Sequence, residues 1–192
     1  MDEQVLRGMA RWPNVPAVFG WLALDRRGNW LLQGEPITNA VVTAYIGRNY
    51  ERDGEGRWFF QNGPQRVYLD LEYTPYVYRA VNAPDQPLAL ESHTGMDVTV
   101  LHGAWIDETG ALLVETEHGV GLLHDRDLEV TLPALVDEDG ATLREDVLED
   151  AMMCLQRGKQ APVWMRLGAS NVKVEPVRAG SVPARFGYVQ HP

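Results

Sequence analysis

The chain has 192 residues, 45% hydrophobic and 23% charged, values that suit one well-buried domain or two small ones and exclude a disordered chain. One cysteine excludes an internal disulfide framework, and a net charge of −10 without a dominant basic face makes double-stranded nucleic acid a poor partner. No apolar run approaches the roughly 18 residues of a membrane helix, and the opening MDEQVLRGMARWP has no signal-type apolar stretch, so the expectation is a soluble cytoplasmic protein without membrane contact.

Residues 1–17 read as extended, because Trp12-Pro13 and Val15-Pro16 push the residue before each proline away from helical geometry. Val18–Leu24 and Asn29–Gln33 form a hairpin around Asp25-Arg26-Arg27-Gly28, and their nearly continuous apolar character places both strands inside. A short helix capped by Thr38 or Asn39 runs over about 39–50. Arg57–Gln61 and Arg66–Tyr73 follow as antiparallel strands joined by Asn62-Gly63-Pro64, with Val67, Leu69 and Leu71 alternating against Tyr68 and Asp70. Tyr76–Tyr78 resumes extended structure, and Asn82–Pro87 is the linker candidate.

The second half continues with strands at Leu88–Leu90, Thr99–Ile106, Ala111–Glu117, Gly119–His124 and Leu128–Leu132. Thr142-Leu143-Arg144-Glu145 matches a capping box ahead of an amphipathic helix over 143–157, whose apolar arc holds Val147, Leu148, Ala151, Met152, Cys154 and Leu155. Val163–Leu167, Val172–Val177 and Val182–Val189 close the chain as strands. The fold class is α+β, predominantly antiparallel β, divided as 1–80 (aromatic and arginine-rich) and 81–192 (acidic sheet plus helix), with one continuous domain as the alternative. Asp25, Asp53 and Asp107 each open Asp-x-x-Gly before an apolar strand, which reads as a generic hairpin turn or as the trace of a duplicated ββαββ unit.

Charge is unevenly placed. Residues 1–79 carry nine basic and nine acidic groups, 80–157 three and seventeen, and 158–192 five and one. The acidic middle lying beside the basic tail is the simplest consequence, and steering of a cationic partner the other. Residues 16–79 hold three of the six tryptophans, six of the seven tyrosines and three of the four phenylalanines. Arg48, Tyr50, Arg52, Arg57, Trp58, Arg66, Tyr68, Tyr76 and Tyr78 therefore form the candidate binding band, since arginine and large aromatics dominate interaction hot spots. The structural alternative is rings in a sheet core with arginines at its rim.

The enzyme alternative rests on His118, His124, Asp125 and Asp127, an imidazole–carboxylate set that suits a divalent metal or an acid–base pair. Their spacing matches no ligand template, so no metal or other cofactor is expected. Asp137–Gly140 fails as an EF-hand, because Leu135 would occupy its first ligand position. There is no P-loop and no nucleophile elbow, and Cys154 belongs to the helix's apolar arc. The expected function is a non-catalytic binding or protein-interaction module for a protein or small molecule.

RWPNVPAVFGWLALDRRGNWLLQGEPI followed by GRNYERDGEGRWFFQNGPQRVYLDLEYTP resembles an uncharacterised, proteobacterial-type family of conserved proteins of unknown function. The resemblance covers roughly the first half. It implies a bacterial cytoplasmic origin and transfers no catalytic residue.

Overall fold

Four copies of one turn set the hairpins of the computed structural model, which describes residues 1–12, 14–81 and 88–192. In each turn an aspartate Oδ1 accepts hydrogen bonds from the backbone N–H groups two and four residues on, at 2.8–3.0 Å: Asp25, Asp53, Asp107 and Asp137. The glycine three residues after each aspartate takes φ of 79°, 83°, 85° and 81°, a left-handed conformation that a Cβ would strain. The sequence template is thus one turn geometry used four times, which accounts for it without a duplicated ββαββ unit. The expected linker Asn82–Pro87 lies outside the described residues.

The chain divides into two compact units, the first comprising 1–75, 93–95 and 183–192 and the second 76–92 and 96–182. Among the described residues the whole has fifteen strands and five α-helices, a β-rich α+β fold with mixed sheets. The first unit holds α1 (Glu3–Arg11), β1 (Val18–Leu24), β2 (Trp30–Leu32), β3 (Glu35–Pro36), α2 (Ala40–Arg48), β4 (Tyr50–Arg52), β5 (Trp58–Asn62) and β6 (Gln65–Leu71). Its sheet runs β3-β2-β1-β6-β5-β4, antiparallel except for the β1–β6 pair. Asn39 caps α2 by accepting from Val41 N and Val42 N, as its side chain allows at a helix start. Residues 183–192 finish this unit: Leu71 N donates to Gln190 O (2.9 Å), Tyr188 Oη donates to Tyr73 O (2.8 Å), and Val189 bridges Arg57.

The second unit holds β7 (Tyr76–Val81), β8 (Ala89–Ser92), β9 (Asp97–Val98), β10 (Leu101–Ile106), β11 (Leu112–Thr116), β12 (Gly119–Leu123), α3 (Leu128–Thr131), β13 (Leu135–Val136), α4 (Glu145–Gln156), β14 (Trp164–Leu167) and β15 (Ser170–Pro176). These strands form one sheet in the order β13-β14-β15-β10-β11-β12-β7-β8-β9, parallel at β10–β15 and β12–β7. A final helix, α5 (Val182–Phe186), leads back to the first unit.

Several expectations need correction. Residues 3–11 are helical, not extended: the prolines restrict only the residues just before them, and the segment buries Val5 while Glu3 and Arg11 suit the two ends of the helix dipole. The expected strand Leu128–Leu132 is a run of helical turns, started by His124 Nδ1 accepting from Arg126 N and ended near Pro133. Val182–Val189 begins as helix, because Pro183 sits in a first turn where no N–H donor is required. Helix α4 starts at Glu145 without Thr142 as its cap, and it buries only Ala151 and Leu155 while Val147 and Met153 stay exposed. The first hairpin is only partly inside, since Phe19, Trp21 and Leu32 are exposed.

Candidate functional site: an apolar cleft in the first unit

Alternation along the strands splits the six-stranded sheet into two chemically different faces. On one side the register pairs Phe60 with Val67, Asn62 with Gln65, Val18 with Val67 and Leu22 with Leu32. The β1–β6 register shifts between Val18 and Leu22, and Gly20 within that bulge has φ of 71°. An extra residue in a strand re-aims its neighbours, and Trp21 comes to line the same cleft as Val18 and Leu22. Helix α2 covers this side with Val42, Tyr45 and Ile46, three positions that share one face at helical spacing.

Sheet and helix do not close on each other. They leave a cleft of about 480 Å³, completed by Leu32, Ile37 and the amide side chains of Asn62 and Gln65. Trp21 is 56% exposed, Leu32 49% and Val42 41%, so the apolar walls are open to solvent. Gln65 Nε2 donates to Pro16 O at 3.2 Å, which places one amide at the cleft's rim. Among the described residues no charged side chain lines the cleft. Farther along the same face of the sheet, Trp30, Tyr50 and Trp58 form a packed aromatic group, with ring centroids 5.1 Å apart for Trp30–Tyr50 and 4.7 Å for Tyr50–Trp58.

The opposite face carries the other half of the expected band. Tyr68 stacks on Phe19 at 4.7 Å, the Arg57 guanidinium lies 4.7 Å from the Tyr68 ring, and Arg66 lies 4.6 Å from Phe59. Asp53 receives Arg57 Nε (2.8 Å) and Tyr68 Oη (3.0 Å). Burial pushes the Asp53 carboxyl up, but the Arg57 side chain and backbone, the Tyr68 hydroxyl and the Glu55 backbone outweigh it and hold the pKa at about 2. Arg48 pairs with Asp2 at 3.3 Å, and Arg52 donates to the Gly187 carbonyl. Tyr50, Trp58 and Tyr68 are buried in the first unit, Tyr76 and Tyr78 in the second. Arg48, Arg52 and Arg66 are the members of the band left exposed.

The histidine–carboxylate set divides, with His118 just before β12 and His124, Asp125 and Asp127 together just past its end. His118 Nε2 lies 2.7 Å from Asp97 O, and Asp127 Oδ2 accepts from Ala80 N at 3.1 Å. Buried His124 accepts from Arg126 N at Nδ1 (3.2 Å), so that nitrogen carries no proton and its 3.3 Å approach to Asp125 is not an ion pair. Burial, then the Arg79 charge, lowers the His124 pKa. Among the described residues no three His, Cys, Asp or Glu side chains cluster to hold a metal. Cys154 is half-buried on α4. No described helix is long and apolar enough to cross a membrane.

The cleft was not foreseen from sequence, though an isolated glycine in a strand, Gly20, is a signal for a bulge.

Comparison with solved structures supports the fold alone. A crystal structure of a DUF1285 family protein from Silicibacter pomeroyi DSS-3 is similar with a TM-score of 0.56 at 16% identity, over 85% of each chain. A DUF1285 family protein from Shewanella baltica OS155 matches at 15% identity over 57% of this chain and 87% of its own, with a TM-score of 0.39. No curated protein matches the sequence. Over residues 1–192 the chain matches the profile described as "Protein of unknown function (DUF2946)", and it belongs to that family, DUF2944.

Proposed function

We propose that the protein is a binding module whose first unit accepts an uncharged, largely apolar small molecule in the cleft between α2 and the sheet. The observation that carries this reading is the open cleft of about 480 Å³ with apolar and aromatic walls and two amides. Small-molecule sites have this size and this ratio of apolar wall to a few orienting polar groups. The Asn62 and Gln65 amides offer hydrogen bonds to a neutral polar end, whereas a charged group inside would find no counter-ion. In this reading the Arg/aromatic band is the frame of the site: Tyr50 and Trp58 pack beside the cleft on its own face of the sheet, and Arg57 and Arg66 brace the other face.

The test is a titration with the neutral fluorophore N-phenyl-1-naphthylamine, read by its emission and by quenching of Trp21. Saturable one-to-one binding is expected, weakened at least about tenfold by Val42→Asp or Leu32→Glu, which is about 1.4 kcal/mol. Both positions are already solvent-exposed, so far-UV circular dichroism should be unchanged. Absent saturation, or equal affinity in both variants, would remove the proposal.

A further inference from the structure

A second cavity lies wholly in the second unit, at the end of α4. Gly158 closes that helix in the left-handed conformation (φ 76°), and its N–H donates to Leu155 O at 2.8 Å. Lys159 N takes Cys154 O at 2.9 Å and Arg157 N takes Met153 O at 3.2 Å, so three of the last carbonyls are already engaged. Beside this terminus the chain leaves β15 at Pro176, and Val177 N is fixed to Ile106 O at 3.0 Å. The space between the two segments measures about 200 Å³ and is lined by Gln156, Arg157, Gly158, Pro176, Val177 and Arg178.

Two arginines face one cavity, and neither guanidinium makes an ion pair or a side-chain hydrogen bond among the described residues. Both arginines and Gln156 are exposed, so the cavity is open to solvent and to ions. Residues 96–182 contain sixteen acidic and seven basic side chains, so carboxylate partners are abundant. Glu108, whose carboxylate acts electrostatically on Arg178, has its Oε2 engaged by Ala179 N at 3.0 Å.

We propose that this cavity binds a small phosphate oxyanion, either free phosphate or a phosphomonoester. Guanidinium forks match phosphate oxygens in pairs, and two of them supply four or more charge-assisted donors. The Gln156 amide adds a neutral donor at the same wall. The negative end of the α4 dipole, worth about half a charge, opposes an anion here. Two full positive charges exceed it, and the engaged carbonyls weaken it further. The reading is independent of the apolar cleft, which lies in the other unit.

The experiment is a titration of the ¹⁵N-labelled full chain with sodium phosphate, phenyl phosphate and acetate, each at constant ionic strength set with chloride. Arginine Nε–Hε resonances report the site directly. Saturable shifts of Arg157 and Arg178 with phosphate are expected at a Kd of ~1 mM or tighter, about 4 kcal/mol of binding. Arg157→Gln and Arg178→Gln should each weaken binding at least tenfold, while Lys173→Gln, whose ammonium lies 5.7 Å from the Trp164 ring, should leave it unchanged. Tighter binding of phenyl phosphate supports a phosphomonoester, and tighter binding of inorganic phosphate supports the free ion. Phosphate shifts no larger than those of acetate or chloride, or an equal loss in Lys173→Gln, would overturn the site. The wild-type resonances need no variant to fold, so the first measurement decides alone.

Discussion

Replacing Asp53 by asparagine tests whether the first unit's sheet depends on one carboxylate. Asp53 Oδ1 accepts from Glu55 N (3.0 Å) and Arg57 N (2.9 Å), and Oδ2 from Arg57 Nε (2.8 Å) and Tyr68 Oη (3.0 Å). Its side chain is 9% exposed and that of Arg57 28%, so water can replace these contacts only in part. Asparagine keeps the Oδ1 contacts but turns an NH₂ toward two donors. The loss is two charge-assisted hydrogen bonds to Oδ2, each taken at about 1.5 kcal/mol because Arg57 is partly exposed, giving about 3 kcal/mol in all. Alanine also removes the two turn contacts and should cost about 4 kcal/mol.

The pH dependence follows from the carboxyl's depressed pKa, about 2 in the fold against an ordinary 3.8. Stability from this group is complete above about pH 4 and is lost as pH falls toward about 2. About 2 kcal/mol of the difference between wild type and Asp53→Asn should disappear across that window. Urea unfolding read by tryptophan emission, with amide exchange in β5 and β6, measures both quantities. A variant within about 0.5 kcal/mol of wild type near pH 7, or a difference unchanged down to about pH 2, would refute the reasoning.

Gly121→Ala should destabilise the second unit by about 2–3 kcal/mol through overpacking, because its Cβ would stand 2.6 Å from Tyr78 Cδ2 and 2.9 Å from Tyr76 Cβ. Tyr78 cannot yield, being fully buried with its hydroxyl at 2.8 Å from Thr116 Oγ1 and 2.9 Å from Gly119 O; a wild-type Tm would contradict this. Burial raises the Glu117 carboxyl, but Thr99 Oγ1 and N, its own backbone N–H and Val100 N bring it to about 2. Glu117→Gln should therefore lower the protection of the Thr99 and Val100 amides relative to their intrinsic exchange rates, a loss matched in wild type as pH falls from about 4 toward about 2. Unchanged exchange at both amides would count against that anchor.

What the sequence made legible is local chemistry. The Asp-x-x-Gly turns, the Asn39-capped helix and the β5–β6 hairpin are each decided within a few residues, and each formed. The expected alternation of burial along β6 did not, since Tyr68 is buried and Val67 only half-buried. The parallel pairings of β1 with β6 and β10 with β15 join segments tens of residues apart, and no local pattern encodes them. Helix α1 was hidden because proline's local veto was extended too far upstream. For the site, composition located the aromatic and arginine residues but could not divide them between two faces. Phe60 and Val67 line the cleft, while their neighbours Phe59 and Tyr68 serve the braced side. Apolar residues such as Trp21 and Leu32 look the same in sequence whether they fill a core or wall an open cleft; the bulge at Gly20 and the incomplete cover of α2 decide it.

The return of residues 183–192 to the first unit has a consequence for synthesis. A ribosome delivers β1 to β6 first, yet Leu71 N, Glu72 O and Tyr73 O wait for Gln190 and Tyr188 to arrive more than a hundred residues later. The portion made earliest is thus sealed last, while the intervening stretch can close as soon as β15 has emerged. A released chain truncated after residue 182 should hold a protease-resistant later portion behind an earlier one that is still easily cut.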